Sequence, residues 1–550
     1  MTAENIASKH QPPVPYQERK ARLTSQQKFL NLAAEAVSLS GASGGSPMSN
    51  RVSESIAETF ENLSDLDGVE VDGCWLKWSA LAALASRLDL LIEETGAPAQ
   101  ARIGLVARNH PESVAAFLGL LKGGYCVVLI NPFQTEQAIA EDVAQLGLSL
   151  MMAEPEDFDG LGLARSAKEN NFPLINLGAL EGRAPHLVQH CTAQAKPESE
   201  DCALLIGTSG TSGKPKRIPI RYDTLFASVV ETDTINREFG EERRPGLKPS
   251  PLIQYSPLAH ITGALTIARV GITGRRLILL KKFDPKKWIQ AISTYKHQIA
   301  GLPPAMMKMV LDEAPGADEL QSLRAVWTGS APPDPAVVLE FEKRYSVHVL
   351  GNYGATEYCG AIANERLVDR IEYGRAKNGA VGRVRRHVAD FRIVDPDTGS
   401  EKAGEGVLEV RVHRVGPEWI RTSDLASIDD DDCLFIHGRA DDAINRGGFK
   451  IVPTIITDAL KQHDAVDEAF ALGLADARLG QVPVAIVQLH SGAEATAEIL
   501  LAHLRNKLVA YQVPIAIKIV ATLPRTPSMK FDKPGMRALF DDDHPIKSAG

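Results

Sequence analysis

The residues best suited to chemistry form one polar loop within LIGTSGTSGKPKRIPI, residues 205–220. Gly207, Gly210 and Gly213 stand three residues apart among four hydroxyl side chains and two lysines. Glycines let backbone N–H groups face an anion, and hydroxyl and ammonium groups add donors and positive charge. The spacing fits neither G-x-x-x-x-G-K-S/T nor G-x-G-x-x-G. Because strand-like CALLIG and RIPIR flank the loop, it predicts an anion-binding turn between two strands.

The loop sequence TSGTSGKPKR, residues 208–217, resembles T-S-G-T-T-G-x-P-K-G, the phosphate loop of the adenylate-forming superfamily. That superfamily includes acyl- and aryl-CoA ligases, luciferases and peptide-synthetase adenylation domains. The resemblance covers roughly residues 52–540, and it implies that the loop binds the β- and γ-phosphates of ATP. Arg217 stands where the family has a glycine. The loop residues implied to bind ATP are Thr208, Ser209, Gly210, Thr211, Ser212, Gly213 and Lys216.

The segment NYGATEYCG, residues 352–360, resembles the family signature Y-G-x-T-E. The resemblance implies that Glu357 holds Mg²⁺, that Thr356 contacts the α-phosphate and that Tyr353 stacks on adenine. A carboxylate suits this role because hard cations prefer oxygen ligands. The segment's remaining implied nucleotide contacts are Asn352 and Gly354.

The segment RTSDLASID, residues 421–429, resembles the family's T-G-D motif, with Ser423 in place of the glycine. The resemblance implies that Asp424 accepts hydrogen bonds from both ribose hydroxyls. The tract before this motif is shorter than in the family, which commonly has a stretch containing Gly-Tyr there.

Next comes GRADDAINRGGFKIVP, residues 438–453, which resembles the segment joining the family's two domains. The resemblance implies that Arg439 also reaches the ribose and that Asp441 is the hinge. It further implies that the turn at Gly447 and Gly448 lines the tunnel for the thiol. Lys450 completes the residues assigned to cofactor binding.

The segment LPRTPSMKFDK, residues 523–533, resembles P-R-T-x-x-G-K, and the resemblance makes Lys530 the adenylation lysine. Met529 replaces the family's glycine, which restricts the backbone before the lysine. A shifted loop would allow Lys533 to take the same role.

The acid would bind beside SPLAHITG, residues 256–263, which resembles P-L-x-H-x-x-G of CoA ligases and places His260 near the acyl pocket. The F-D-x-S aspartate of peptide-synthetase domains is missing, which argues against an α-amino acid substrate. Small and apolar pocket residues favour a bulky apolar, fatty or aromatic acid. The residues assigned to the pocket are His260, Gly263, Thr328, Gly329, Ser330, Ala331, Gly351, Ala355 and Gly360.

Alternating helices and strands must bring these motifs together. Apolar spacing predicts helices at 76–96, 111–124, 455–466 and 497–509, and strands at 101–107, 125–132, 468–475 and 483–490. Repeated strand–helix–strand units predict an α/β fold with a large N-terminal domain of mostly parallel sheets flanked by helices. The smaller pattern that follows predicts a small, mobile C-terminal α/β domain. The predicted domains are an accessory segment at 1–50 with one helix at 17–39, an AMP-binding domain at 51–438 and a lid domain at 439–550.

Composition narrows the class of protein. The 550 residues exceed one core, and 44% apolar with 23% charged residues is typical of a globular protein. A net charge of −9 argues against a nucleic-acid partner. No apolar run approaches the roughly 18–20 residues of a membrane span, and the first residues lack a secretory signal. Six dispersed cysteines predict reduced thiols rather than disulfides or a zinc site, so we expect a cytoplasmic protein.

The resemblance therefore implies an acid–thiol ligase, most like a bacterial-type acyl-CoA synthetase that forms AMP. A carboxylate attacks the α-phosphorus of ATP, pyrophosphate leaves, and the acyl-adenylate passes its acyl group to the thiol of coenzyme A. ATP, Mg²⁺ and coenzyme A are the implied cofactors and co-substrates. Alternatives are an acyl-adenylate ligase that loads a carrier protein, a luciferase-type oxygenase and a catalytically inactive binding relative. Retention of Lys216, Glu357, Asp424, Arg439 and Lys530 argues against the last.

Overall fold

The computed structural model describes most of the chain from residue 48 onward. The described residues are 48–180, 182–191, 201–208, 216–238, 250–329, 331, 333–374, 377, 379–446, 449–476, 478–526 and 529–540. The helix predicted at 17–39 lies outside them.

In chain order the described helices are α1 (Met48–Asn62), α2 (Trp78–Thr95), α3 (Pro111–Lys122), α4 (Glu136–Leu146), α5 (Asp157–Gly160), α6 (Leu163–Glu169), α7 (Tyr222–Glu238), α8 (Ile261–Thr273), α9 (Pro285–Tyr295), α10 (Pro304–Glu313), α11 (Pro335–Tyr345), α12 (Leu367–Tyr373), α13 (Pro453–Lys461), α14 (Ala497–Arg505) and α15 (Lys533–Ala538). The four helices predicted from apolar spacing are observed as α2, α3, α13 and α14. Proline lies in the first turn of α3, α9, α10, α11, α13 and α15, where its missing N–H has no intrahelical acceptor to lose.

In chain order the described strands are β1 (Asp67–Val71), β2 (Cys74–Lys77), β3 (Arg102–Val106), β4 (Cys126–Ile130), β5 (Leu150–Ala153), β6 (Leu174–Asn176), β7 (His186–Gln189), β8 (Cys202–Thr208), β9 (Lys216–Arg221), β10 (Leu252–Gln254), β11 (Leu277–Leu279), β12 (Ile299–Gly301), β13 (Ala325–Thr328), β14 (His348–Ala355), β15 (Gly360–Asn364), β16 (Ala380–Val384), β17 (Ala389–Val394), β18 (Gly406–Val412), β19 (Ile420–Ile428), β20 (Cys433–Arg439), β21 (Ile444–Arg446), β22 (Phe449–Ile451), β23 (Val466–Asp476), β24 (Gly480–Leu489) and β25 (Ala516–Val520). The predicted strands at 101–107, 125–132, 468–475 and 483–490 are β3, β4, β23 and β24.

The N-terminal sheet has the strand order β7-β6-β5-β3-β4-β8-β9. Its strands from β6 through β5, β3 and β4 to β8 are parallel. Along β4, Val127 and Leu129 belong to one hydrophobic core, whereas Cys126, Val128 and Ile130 belong to another. Both faces of the sheet are therefore buried, as the prediction of a parallel sheet flanked by helices requires.

The central sheet has the order β12-β13-β14-β15-β16-β20-β19-β18-β17. Strands β12, β13 and β14 are parallel, whereas the pairs from β14 onward are antiparallel. Strands β17 to β20 follow one another through short connections that leave no room for a crossover helix. This antiparallel half carries the Y-G-A-T-E and T-S-D motifs.

The C-terminal sheet has the order β22-β21-β24-β23, with β25 beside β24. The long strands β23 and β24 are antiparallel, and a core that includes residues of α13 and α14 covers the sheet. The chain leaves the central sheet at Arg439 and enters the C-terminal sheet at Ile444, so Asp441 lies between the two sheets.

A further small sheet, of order β10-β11-β1-β2, completes the large N-terminal part. Within the described ranges, no helix has the length and apolar content that crossing a membrane requires.

Candidate active site

Asp424 lies on β19 opposite Arg439 of β20, and Tyr353 of β14 reaches the same point. The Tyr353 hydroxyl donates a hydrogen bond to Oδ2 of Asp424. Burial raises the pKa of the Asp424 carboxyl, although Tyr353 and Arg439 oppose the shift. Burial also raises the pKa of Tyr353, which keeps its hydroxyl a donor. The tyrosine predicted to contact the nucleotide base therefore also orients the carboxylate predicted to bind the ribose.

Arg439 forms a two-bond pair with Asp441 on the segment between the sheets. Its Nε lies 2.8 Å from Oδ1 of Asp441, and its Nη2 lies 2.7 Å from Oδ2. Burial would raise the pKa of Asp441, but hydrogen bonds from Arg439 and Ser423 outweigh it and lower that pKa. The structure thus joins the predicted ribose contact to the predicted hinge residue.

Lys530 comes from the C-terminal part of the chain and lies within electrostatic reach of Arg439 and His260. Its side chain keeps contact with solvent, but the surrounding protein partly desolvates it. This desolvation, followed by the charge of Arg439, lowers the pKa of Lys530. His260 precedes α8, and its pKa is lowered by burial and then by Lys530. Residues from distant parts of the sequence therefore meet at one site.

The turn before Lys530 has an unusual backbone. Met529 has φ of +63°, the left-handed conformation that favours glycine. Its carbonyl accepts a hydrogen bond from Nη1 of Arg525 at 2.8 Å, while Nη2 of Arg525 lies 2.7 and 2.8 Å from the two carboxylate oxygens of Glu468. Lys533, the alternative to Lys530, forms an ion pair with Asp442.

The motif Y-G-A-T-E ends β14 and enters a short 3₁₀ helix at Thr356–Tyr358. Glu357 lies on this helix and is half-buried. Among the residues that the structure describes, none forms a hydrogen bond or an ion pair with its carboxylate. A half-buried carboxylate that no cationic side chain occupies fits the predicted Mg²⁺ ligand.

The predicted turn between two strands is flanked by β8 and β9, which pair antiparallel with Thr208 opposite Lys216. The Thr208 hydroxyl donates to the Lys216 carbonyl oxygen at 3.2 Å. The loop residues Ser209, Gly210, Thr211, Ser212 and Gly213 lie outside the described residues. The structure therefore places the strands on both sides of the phosphate loop.

Arg217, the residue after Lys216, stands where the family has a glycine, and its long side chain reaches neighbouring elements of the sheet. Its guanidinium forms an ion pair with Asp142 of α4 and donates to the Leu129 carbonyl oxygen at 2.8 Å. The side chains of Arg217 and Asp142 are only 14% and 13% exposed. Arg217 therefore joins the base of the loop to a neighbouring strand and helix.

The described residues of the predicted pocket lie within or next to β13, β14 and β15 and at the start of α8. A Cβ atom on Gly263 would lie 2.2 Å from the Pro257 carbonyl oxygen, so this glycine permits close packing of the backbone. At Gly360 a Cβ atom would lie 3.0 Å from Oγ of Ser228 and 3.3 Å from Cδ1 of Leu265. Helices α7 and α8 therefore both approach Gly360.

Other predicted residues have less specific surroundings. Thr328 is 3% exposed, and its hydroxyl has no hydrogen-bond partner among the residues that the structure describes. Ala331 is exposed, and Ala355 ends β14. Lys450 lies in β22. Ser330, Gly447 and Gly448 lie outside the described residues.

Sequence reasoning missed the residues that support the lysine turn. The segment LPRTP contains Arg525, but its partner Glu468 precedes it by 57 residues. No local pattern signals that pairing. The Tyr353–Asp424 bond was missed for the same reason, because 71 residues separate its partners.

Comparison with known proteins places this chain in a family. The family model described as AMP-binding enzyme matches residues 34–420, and the AMP-binding enzyme C-terminal domain matches residues 456–530. The chain belongs to the AMP-binding enzyme family.

Its relatives include plant ligases. It is 27% identical to 4-coumarate–CoA ligase 5 of Oryza sativa subsp. japonica, over 90% of this chain and 94% of that protein. It is 26% identical to 4-coumarate–CoA ligase 1 of Petroselinum crispum, over 87% and 92%.

Solved structures share the fold at lower identity. ATP-bound MatB from Rhodopseudomonas palustris has a TM-score of 0.74 and 22% identity, covering 88% of this chain and 99% of that chain. The amide bond synthetase McbA from Marinactinospora thermotolerans has a TM-score of 0.72 and 22% identity, covering 89% and 100%.

Proposed function

We propose that this chain activates a carboxylic acid with ATP and transfers the acyl group to the thiol of coenzyme A, as an AMP-forming acid–thiol ligase. The observation that carries the proposal is the meeting of Lys530 with His260 and the Asp424–Arg439 strand pair. Both family matches and the plant CoA-ligase relatives support it. ATP, Mg²⁺ and coenzyme A are the reactants and metal that this function requires.

In the first step, the Asp424 carboxylate would accept hydrogen bonds from the ribose hydroxyls. Tyr353 orients this carboxylate. The loop between β8 and β9 would donate to the β- and γ-phosphates. Lys530 would face the α-phosphate, where negative charge grows as the carboxylate attacks and pyrophosphate leaves. Because the lysine is partly desolvated, its charge acts more strongly on the transition state than it would in water.

Glu357 would hold the Mg²⁺ that accompanies ATP, with Thr356 directed at the α-phosphate. The metal, when bound, neutralises phosphate charge during the displacement. The surroundings of Glu357 support this role, because no cationic side chain of the described residues pairs with its carboxylate.

In the second step, the thiol must enter where Lys530 stands during the first. We infer that the small domain turns about Asp441 to exchange Lys530 for the segment containing Gly447 and Gly448. Asp441 lies between the two sheets, where such a rotation would bend the chain.

The proposed acid is bulky and apolar, fatty or aromatic. The small and apolar residues of the predicted pocket around β13, β14 and β15 support this choice. His260, with its lowered pKa, adds a neutral side chain beside Lys530. We also propose a cytoplasmic location, which the dispersed cysteines support.

A pyrophosphate-release assay over fatty, aromatic and polycyclic acids tests the proposal. Each acid is supplied with ATP and Mg²⁺, first alone, then with coenzyme A, then with a carrier protein bearing a phosphopantetheine thiol. Acyl-CoA formation is the expected result. Transfer only to the carrier protein would instead support the carrier-loading alternative, and an absence of pyrophosphate with every acid would overturn the proposed function.

A further inference from the structure

The residue before Lys530 is held in a conformation that its side chain does not favour. Met529 has φ of +63°, inside a tight turn where its N–H donates to the Thr526 carbonyl oxygen at 2.8 Å. The Thr526 N–H in turn donates to the Lys530 carbonyl oxygen at 2.8 Å. Glycine adopts this backbone without steric cost, whereas a residue with a Cβ does not. The cost of this conformation at a methionine must therefore be offset by the hydrogen bonds of the turn or by contacts of the side chain.

The Met529 side chain packs against a hydrophobic core of the N-terminal part of the molecule. This core includes Tyr255, Leu302 and Met306, and every other described member of it lies between residues 253 and 349. Met529 therefore makes an apolar contact across the two parts of the chain, one residue before the adenylation lysine. Methionine suits such a contact because its flexible, polarizable side chain fills irregular gaps.

The Met529 backbone is fixed from the other side. Arg525 donates to its carbonyl oxygen and also forms the two-oxygen pair with Glu468 at the start of β23. Met529 is thus tied by its main chain to the C-terminal sheet and by its side chain to the N-terminal core. Movement of the turn away from the site would break the second attachment and keep the first.

Two ion pairs join the same parts of the molecule at other points. Lys308 of α10 pairs with Asp467 of β23, and Lys461 of α13 lies 2.8 Å from Asp334. Such partly exposed pairs contribute little individually. They also lie far in sequence from Lys530, whereas Met529 is its neighbour.

We propose that Met529 is a positioning residue that seats the Lys530 turn on the N-terminal domain and so favours adenylate formation over thiol transfer. This inference rests on the proposed function. The side-chain contact offsets the cost of the left-handed backbone and limits where the lysine ammonium can lie. Thiol transfer requires the turn to leave, so the same contact slows that step.

Three substitutions separate the contact from the backbone strain. Met529→Ala removes the contact and keeps a Cβ at positive φ, Met529→Gly removes both, and Met529→Leu keeps an apolar side chain of similar volume. Adenylation is followed by pyrophosphate release without a thiol. Thiol transfer is followed by acyl-CoA formation from supplied acyl-adenylate.

We expect Met529→Ala and Met529→Gly to slow adenylation about tenfold, because both lose a partly buried methionine contact. Thiol transfer should stay unchanged or become faster. Met529→Leu should restore adenylation to within about threefold, since volume-conserving apolar exchanges are tolerated best. Equal losses in both half-reactions, or a glycine variant that adenylates as fast as the unmodified chain, would overturn the proposal.

Amide hydrogen exchange in the peptides covering 525–531 and 302–311 supplies a readout that needs no substrate. Both peptides should exchange faster in Met529→Ala than in the unmodified chain, and Met529→Leu should restore their protection. Unchanged exchange in Met529→Ala would overturn the positioning role even if the enzyme is active. The expected exchange pattern in a chain that adenylates no acid would overturn the proposed function alone.

Discussion

Arg217 and Met529 both occupy positions where the family has glycine, yet the two residues sit in different physical settings. Arg217 lies in β9, and any residue can adopt the extended backbone of a strand. Its side chain forms a nearly buried ion pair with Asp142 inside the same domain. Met529 has a left-handed backbone, and its side chain packs on the other part of the molecule. A residue in place of the glycine therefore joins elements within one domain at Arg217 and contacts a different part of the molecule at Met529. Sequence position alone does not distinguish these outcomes.

The largest effect that this comparison predicts belongs to the turn that carries Lys530. Lys530→Ala should slow adenylation about 10²- to 10³-fold, because one preorganised charge on the transition state is lost. Acyl-CoA formation from supplied acyl-adenylate should remain. Pyrophosphate release and thioester formation, measured separately, check this.

Lys533→Ala is the matched control for that substitution. Lys533 forms its ion pair with Asp442 and is 51% exposed, so its loss should leave adenylation nearly unchanged. If Lys533→Ala is the variant that loses adenylation, Lys530 does not hold the assigned role.

The next largest effect concerns the ion pair between Arg217 and Asp142. Arg217→Ala should lower the free energy of unfolding by about 3 kcal/mol, because the Asp142 carboxylate is left nearly buried without its partner. Adenylation per folded molecule should change little. Urea unfolding followed by circular dichroism measures the stability.

Adding Asp142→Asn to Arg217→Ala should recover part of that stability, since the unpaired charge is removed. A double variant less stable than Arg217→Ala would contradict the buried-pair explanation. A large loss of adenylation by stable, folded Arg217→Ala would erase the contrast with Met529.

A smaller effect concerns the predicted nucleotide site at Asp424 and Tyr353. Asp424→Ala should raise the KM for ATP at least about tenfold, because hydrogen bonds from the ribose to a charged acceptor disappear. Tyr353→Phe is the matched variant, since it keeps the ring and removes the hydroxyl that donates to Asp424. It should raise the KM less. An unchanged KM in Asp424→Ala would remove this residue from the nucleotide site.

The smallest expected effect is a shift in pH dependence. Partial burial and Arg439 lower the pKa of Lys530 from its ordinary 10.5. Adenylation should therefore fall as pH rises through that lowered value, before an ordinary lysine loses its proton. Lys530→Arg should move the alkaline limb upward, because arginine stays charged. If the alkaline limb does not move in Lys530→Arg, the loss of adenylation at high pH is caused by the titration of another group.

Local patterns of the sequence were enough to predict the helices α2, α3, α13 and α14 and the strands β3, β4, β23 and β24. They also predicted the turn between β8 and β9, because glycines and hydroxyls mark the loop directly. The antiparallel half of the central sheet was not foreseen, since strand pairing there depends on connection lengths and tertiary packing. Periodicity reports which face of an element is apolar and gives no information on its partner.

Contacts between residues distant in sequence could not be predicted from local patterns for the same reason. Arg217 could be recognised as a departure from the family, but Asp142 lies 75 residues earlier. Met529 could be recognised as restrictive, but its contact with the Tyr255 core depends on how the two domains meet. The residue types predicted the chemistry, and only the fold provides the contacts that position it.

The ion pairs Lys308–Asp467 and Lys461–Asp334 make the contact between the domains sensitive to ionic strength. Dissolved salt weakens the attraction between partly exposed charges, with a Debye screening length of about 10 Å at 0.1 M. The apolar contact of Met529 is not weakened in this way. Raising the salt concentration should therefore loosen the arrangement that places Lys530 at the site, while the apolar contact of Met529 remains. Adenylation and thiol transfer would then respond to salt in opposite directions, so the buffer itself selects which half-reaction limits turnover.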